Sequence, residues 1–114
     1  MKKTITAVVT ATALTLTACG ETEPPLNEES SRDTIHAYIT DNGATIRPGD
    51  TNKYMKQVCG LLRETDNAKD AAGNLKDAHG GGMTVEQAQK NVGAAVLTTC
   101  PEWEHKLNSD VSWW

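Results

Sequence analysis

The sequence predicts an all-α domain, a small bundle of about four helices stapled by one disulfide. Three observations carry this. Apolar residues recur at helical spacing in four separate stretches, no stretch alternates with period two long enough to argue for a sheet, and two cysteines lie inside the helical region.

The first helix opens at Ser31, a residue type whose hydroxyl caps exposed helix N–H groups, and carries Ile35, Tyr38 and Ile39 at i, i+3, i+4 spacing. Asn42-Gly43 stops it, the glycine supplying a left-handed C-terminal residue. The second follows Pro48-Gly49 with Asp50 or Thr51 as its cap, and its apolar stripe is Tyr54, Val58, Leu61 and Leu62 beside Cys59. The third has a small-residue face of Ala68, Ala71, Ala72 and Leu75, interrupted by Gly73 and ended by Gly80-Gly81-Gly82. The fourth is the clearest. Thr84-Val85-Glu86-Gln87 matches a capping box, and Val85, Ala88, Val92, Ala95 and Val96 then line one face down to Cys100-Pro101. Val92, Val96 and Cys100 form one row, which turns Cys100 toward the buried side where Cys59 can meet it.

Upstream of the helices the chain reads as an export signal. Lys2 and Lys3 precede a mildly apolar run over residues 5–18 that is diluted by five threonines. It is too short and too rich in hydroxyls for a membrane-spanning helix, which needs about 20 predominantly apolar residues. Leu16-Thr17-Ala18-Cys19 looks like a bacterial lipobox. In that chemistry the Cys19 thiol takes the diacylglyceryl group, and small side chains before it admit the signal peptidase. Residues 1–18 are then removed and Cys19 becomes the lipidated first residue of a mature chain of 96 residues. A single fatty chain holds a membrane only marginally, at ~0.8 kcal/mol per buried methylene, and two hold it stably. The expected location is therefore secreted and lipid-anchored, at the outer face of the cell membrane or within the envelope.

Residues 19–30 are expected to form a lipidated, disordered tether, acidic and containing Pro24-Pro25; residues 31–107 the helical domain; and residues 108–114 a C-terminal tail. Loss of Lys2 and Lys3 leaves 9 basic against 15 acidic residues, a net charge of −6. Such a domain is ill suited to nucleic acid, whose phosphates require Lys and Arg, and anionic lipid headgroups would not attract it. With no Phe and only 4% aromatic residues the core is lean, so a covalent staple is useful. Acylation of Cys19 leaves Cys59 and Cys100 in an oxidising compartment. On the chain-entropy model their disulfide contributes roughly 4 kcal/mol. A redox or metal role would call for CxxC spacing or a flanking His or Cys cluster, and the sequence has neither.

From Thr34 to Leu107 the chain resembles the domain of unknown function 732 family, small secreted and lipid-anchored proteins abundant in mycobacteria and their phages. The matching elements are Ile35 to Ile39, Pro48-Gly49-Asp50, Val58-Cys59-Gly60-Leu61-Leu62, Met83-Thr84-Val85-Glu86-Gln87-Ala88, and Val92-Gly93-Ala94-Ala95-Val96 closing on Cys100-Pro101. The resemblance implies a compact helical fold with Cys59 bonded to Cys100, and brings no known activity. The chain departs from the family pattern in a longer 67–82 segment and in its ending after Pro101.

Little in the sequence points to chemistry. His36, His79 and His105 share no metal-ligand spacing, so no metal and no cofactor is expected. A haem site using His36, Tyr38 or His79 finds no support in spacing. Gly80-Gly81-Gly82 lacks the preceding strand and the lysine of a phosphate loop. Ser30 and Ser31 lack His and Asp partners, and no enzyme is expected. Trp103, Trp113 and Trp114 are all the tryptophans of the chain, and they are candidates for contact with a partner or the lipid interface; the competing account makes Trp103 an end cover of the core and the tail frayed. The expected function is a non-enzymatic interaction module that meets another envelope protein, with prophage-encoded superinfection exclusion as one form of it. The alternative is a small carrier holding haem or lipid between its helices.

Overall fold

A computed structural model describes residues 24–114. The signal segment, Cys19 and the first part of the expected tether lie outside the described residues. Four α-helices follow in order: α1 (Arg32–Asp41), α2 (Thr51–Glu64), α3 (Ala68–Ala78) and α4 (Val85–Thr98). Short 3₁₀ turns at Pro48–Asp50 and Pro101–Lys106 lead into α2 and out of α4. The all-α fold of four helices, and its disulfide between Cys59 and Cys100, are as the sequence predicts.

Local chemistry sets the helix ends. Ser31 Oγ accepts from Thr34 N at 3.1 Å to start α1. At its other end Gly43, with φ +92°, lets Gly43 N donate to Thr40 O and Ala44 N to Ile39 O, and both Ile39 and Ala44 are buried. That is a Schellman ending with its hydrophobic contact. The start of α2 differs from expectation. Asp50 holds the cap position but its carboxylate caps nothing, lying 3.4 Å from exposed Arg47, while Thr51 is buried and its hydroxyl donates to Pro48 O at 2.8 Å. Asn67 caps α3, taking Asp70 N at 2.9 Å. Both bonds of the capping box on α4 are made: Gln87 N to Thr84 Oγ1 at 3.1 Å and Thr84 N to Gln87 Oε1 at 2.9 Å.

Helix α4 is the centre of the molecule and packs against α1, α2 and α3. From Asn91 to Val96 every residue is buried, so its middle is enclosed on all sides rather than along one stripe. Small residues permit this. Ala88, Gly93, Ala94 and Ala95 let neighbouring backbones approach, while Ile39, Met55, Val58, Leu62 and Val92 supply the bulk. Val85, placed by periodicity on the buried face, is 51% exposed because it sits in the first turn, beyond the reach of the neighbouring helices.

The domain is wider in sequence than expected. Leu26 is 2% exposed and belongs to the core, and residues 27–30 form a hydrogen-bonded turn, with Asn27 N to Ser30 Oγ at 3.0 Å and Ser30 N to Asn27 O at 3.1 Å. Residues 24–30 are thus part of the domain, because one leucine finds a place in the core, and a disordered tether does not extend to residue 30. The 108–114 tail is also docked rather than frayed: Trp113 is buried and Asp110 pairs with Lys69 at 2.9 Å.

Candidate functional site

The C-terminal half of α4 and the segments folded around it hold most of the residues that the sequence singles out. Cys59, on α2, and Cys100, just past the end of α4, bring their Cα atoms within 6.1 Å and are bonded. Cys100 is buried and Cys59 half-buried, so the bridge ties the end of the central helix to α2. Beside it, Lys106 donates from Nζ to Leu62 O at 2.6 Å and to Thr65 O at 2.7 Å. It thereby satisfies carbonyls at the C-terminus of α2, where a cation is also favoured by the helix dipole. The same ammonium lies 4.4 Å from the centre of the Trp103 ring. Trp103 is therefore held between the 3₁₀ turn and a cation, as an end cover of the core.

Trp113 departs furthest from its expected role. The residue is 5% exposed, and its indole Nε1 donates to Asn108 O at 2.8 Å. Its backbone lies against α4 at Gly93, where a Cβ would run into the Trp113 carbonyl. Gly93 thus makes room for the tail to cross the central helix, and Trp113 is buried as a core residue. Trp114 is half-buried and lines a groove.

That groove has a volume of about 520 Å³ and runs between residues 24–29 and the end of α4. Its apolar surface includes Leu26, Val96, Leu97, Pro101, Leu107 and Trp114; its charged lining residues are Glu28, Glu29 and Glu104. Leu26 and Val96 are buried beneath it, and the three glutamates are exposed.

A second, smaller hollow of about 400 Å³ is lined by Ile46, Tyr54, Val58, Leu61, Leu75 and His79, among others. His79 Nδ1 is 3.0 Å from Leu75 O, and its ring meets Tyr54 edge-on with centres 6.1 Å apart. His36 Nε2 is 2.9 Å from Ile46 O. These two histidines thus each hold a backbone carbonyl, whereas His105 is exposed on the 3₁₀ turn beside Trp103. Among the described residues no three His, Cys, Asp or Glu side chains converge as metal ligands would.

The polar group that sequence reasoning missed is Asn91. It is fully buried, accepts from Tyr54 Oη at 2.9 Å, and donates from Nδ2 to Asn42 O at 2.9 Å and Gln87 O at 2.8 Å. One amide thereby joins α4, α2 and the end of α1. Burial pushes the Tyr54 hydroxyl far above the ordinary tyrosine range. Burial also raises Tyr38, whose hydroxyl is enclosed with no hydrogen-bond partner among the described residues. Asp110 is lowered, first by its hydrogen bond from Lys69.

These features define a small, disulfide-stapled, all-α domain built round one enclosed helix, with residues 24–30 and 108–114 folded into it. Residues 33–102 match the family model described as protein of unknown function (DUF732), and the chain belongs to that family. No curated protein matches the chain. No solved structure matches it either. Among the described residues no helix is long and apolar enough to cross a membrane, and the disulfide is consistent with a location outside the cytoplasm.

Proposed function

We propose that the protein is a lipid-anchored, non-enzymatic interaction module of the cell envelope. The observation that carries this is the close sequence of lipobox and folded domain. Cys19 closes Leu16-Thr17-Ala18-Cys19, and the first core residue, Leu26, lies only seven positions further on. Seven residues span at most roughly 25 Å when extended. An acylated Cys19 would therefore keep the domain against the bilayer rather than on a long leash. The disulfide supports an exported location, since such bonds persist in oxidising compartments.

A binding role rather than catalysis is supported by the side chains whose protonation the fold alters. Tyr54 and Tyr38 are shifted by burial in the core, and Asp110 by an exposed ion pair. Tyr54 lines a hollow beside His79, but its hydroxyl is bonded to the buried Asn91 amide rather than to a base. Acid–base or covalent catalysis requires a base within reach of a reacting group. Within this class we favour a chain of mycobacterial or phage origin, with superinfection exclusion as its specific form, since proteins of that kind act at the membrane. Lipidation is tested by the intact mass of the membrane-extracted protein. A diacylglyceryl-Cys19 N-terminus that is lost in Cys19→Ala supports the anchor, and a free N-terminus at another residue contradicts it. Resistance of expressing cells to phage infection, abolished by Cys19→Ala, would support exclusion; unchanged plating would remove it.

The hollow beside Tyr54 and His79 favours one second reading, a carrier of a small apolar ligand. A visible absorption band or a stoichiometric lipid extracted from the purified protein would support it, and a colourless, lipid-free protein would count against it.

A further inference from the structure

We propose that the groove between residues 24–29 and the end of α4 receives a basic amphipathic segment of a partner protein. This rests on the interaction-module reading and names the partner chemistry that such a module would recognise.

Two properties of the groove select the occupant. Its floor is apolar and built from parts that are fixed: Leu26 and Val96 are core residues, and Leu107 and Trp114 are packed against the core from the C-terminal side. At about 520 Å³ it is within the ~300–1,000 Å³ range of binding clefts. A few aliphatic side chains at helical spacing would fill it, as in helix-in-groove recognition.

The rim then decides between apolar partners. Glu28 and Glu29 occupy the two central positions of the turn from Asn27 to Ser30, which is closed by Ser30 N to Asn27 O at 3.1 Å and by Glu29 N to Asn27 Oδ1 at 2.7 Å. Glu104 stands on the opposite wall, on the 3₁₀ turn. Among the described residues no Lys, Arg or His lines the groove, and the ionisable side chains around the apolar floor are carboxylates. The nearest lysine in sequence, Lys106, is spent on the carbonyls of α2 and on Trp103. An anionic bilayer surface would be repelled by this rim. A peptide with apolar anchors flanked by Lys or Arg would be steered in and held in register by it. Because the carboxylates are exposed, the attraction weakens with salt.

The test is site-specific photocrosslinking from the full, lipidated protein in its native envelope. Photoreactive residues at Leu97 or Glu104 report on the groove, and one at exposed Asn74 on α3 reports on a distant face. Glu104 is exposed, so its replacement keeps the test open if the Leu97 variant fails to fold. The expected result is a protein segment captured from either groove position but not from Asn74, with apolar residues at helical spacing and at least two Lys or Arg. Glu28→Lys and Glu29→Lys together, with Glu104→Lys added when the probe is at Leu97, should cut that capture by about tenfold or more, and the matching Gln replacements by less. Capture of lipid, of the chain's own upstream segment or of a segment without basic residues would overturn the proposal. So would capture that is indifferent to charge reversal, or none. A protein partner captured from Asn74 alone would remove the groove and keep the interaction module, whereas no protein partner from any position would count against both.

Discussion

The two ends of α4 are fixed by opposite means. At its C-terminal end a covalent bond from Cys100 to Cys59 and an ammonium on the carbonyls of α2 lock the helices together. Toward its N-terminal end the neutral Asn91 amide, the capping box and the Gly43 ending of α1 do so with hydrogen bonds alone. The first device acts mainly by restricting the unfolded chain, the second by satisfying polar groups that folding takes out of water. One end is therefore sensitive to redox conditions and the other to packing and to pH. The groove lies at the covalent end, and the titratable side chains that line it among the described residues are exposed glutamates.

This contrast can be broken in order of size. Replacing Cys59 and Cys100 by Ser together, or reducing the bond, should lower stability by about 4 kcal/mol while the helix content of the remaining folded protein is kept. Chemical denaturation followed by circular dichroism measures it. Asn91→Ala should cost about 2–3 kcal/mol, since it strands Tyr54 Oη and Asn42 O in the core. The two sites are separated by roughly 13 Å along the helix direction, so their effects should add within about 0.5 kcal/mol. A larger coupling would show that the two ends are one device.

Alkaline pH separates the ends differently. The unfolded chain ionises its tyrosines near the ordinary value of 10.0, whereas burial keeps Tyr54 and Tyr38 neutral to higher pH in the fold. The unfolded state therefore binds fewer protons above that value. Stability contributed by these groups is whole below pH 10.0 and is lost as pH rises past it. Tyrosinate absorbance should appear together with unfolding; titration of both tyrosines near pH 10 in a folded protein would contradict this.

Smaller effects follow. Gly43→Ala should cost about 1–2 kcal/mol, because the position has φ +92° and a Cβ would meet Gln87 Oε1 at 2.9 Å. Lys106→Met, which keeps the stem but removes the donors, should cost about 1 kcal/mol and leave the disulfide intact. Thermal melts under oxidising conditions compare the two.

The sequence made some of this legible and hid the rest for physical reasons. Caps and stops are local, so Ser31, the Thr84–Gln87 box and Gly43 announce themselves, and the disulfide follows from two cysteines on apolar faces. Asn91 was missed because a polar residue at a core position looks like a surface residue until its partners, 37 and 49 positions away, are known. Its place one helical turn from Ala88 and Ala95 was the available signal. Gly93 in mid-helix was another, since glycine there costs about 1 kcal/mol unless something approaches closely; here it is Trp113. Leu26 and Trp113 lie in stretches without periodicity, and a single apolar anchor gives a pattern search nothing to count. Their burial brings residues 24–30 and 108–114 into the domain and makes Trp113 structural, leaving Trp114 as the tail's tryptophan at the groove.

The central claim, a lipid-positioned module that meets an envelope protein, is tested most directly by cross-linking the protein in its native envelope and identifying what is recovered, with Cys19→Ala as control. One dominant protein partner that is lost in the control is the result expected. Recovery of no protein above the control, from a chain shown to be lipidated and folded, would contradict it.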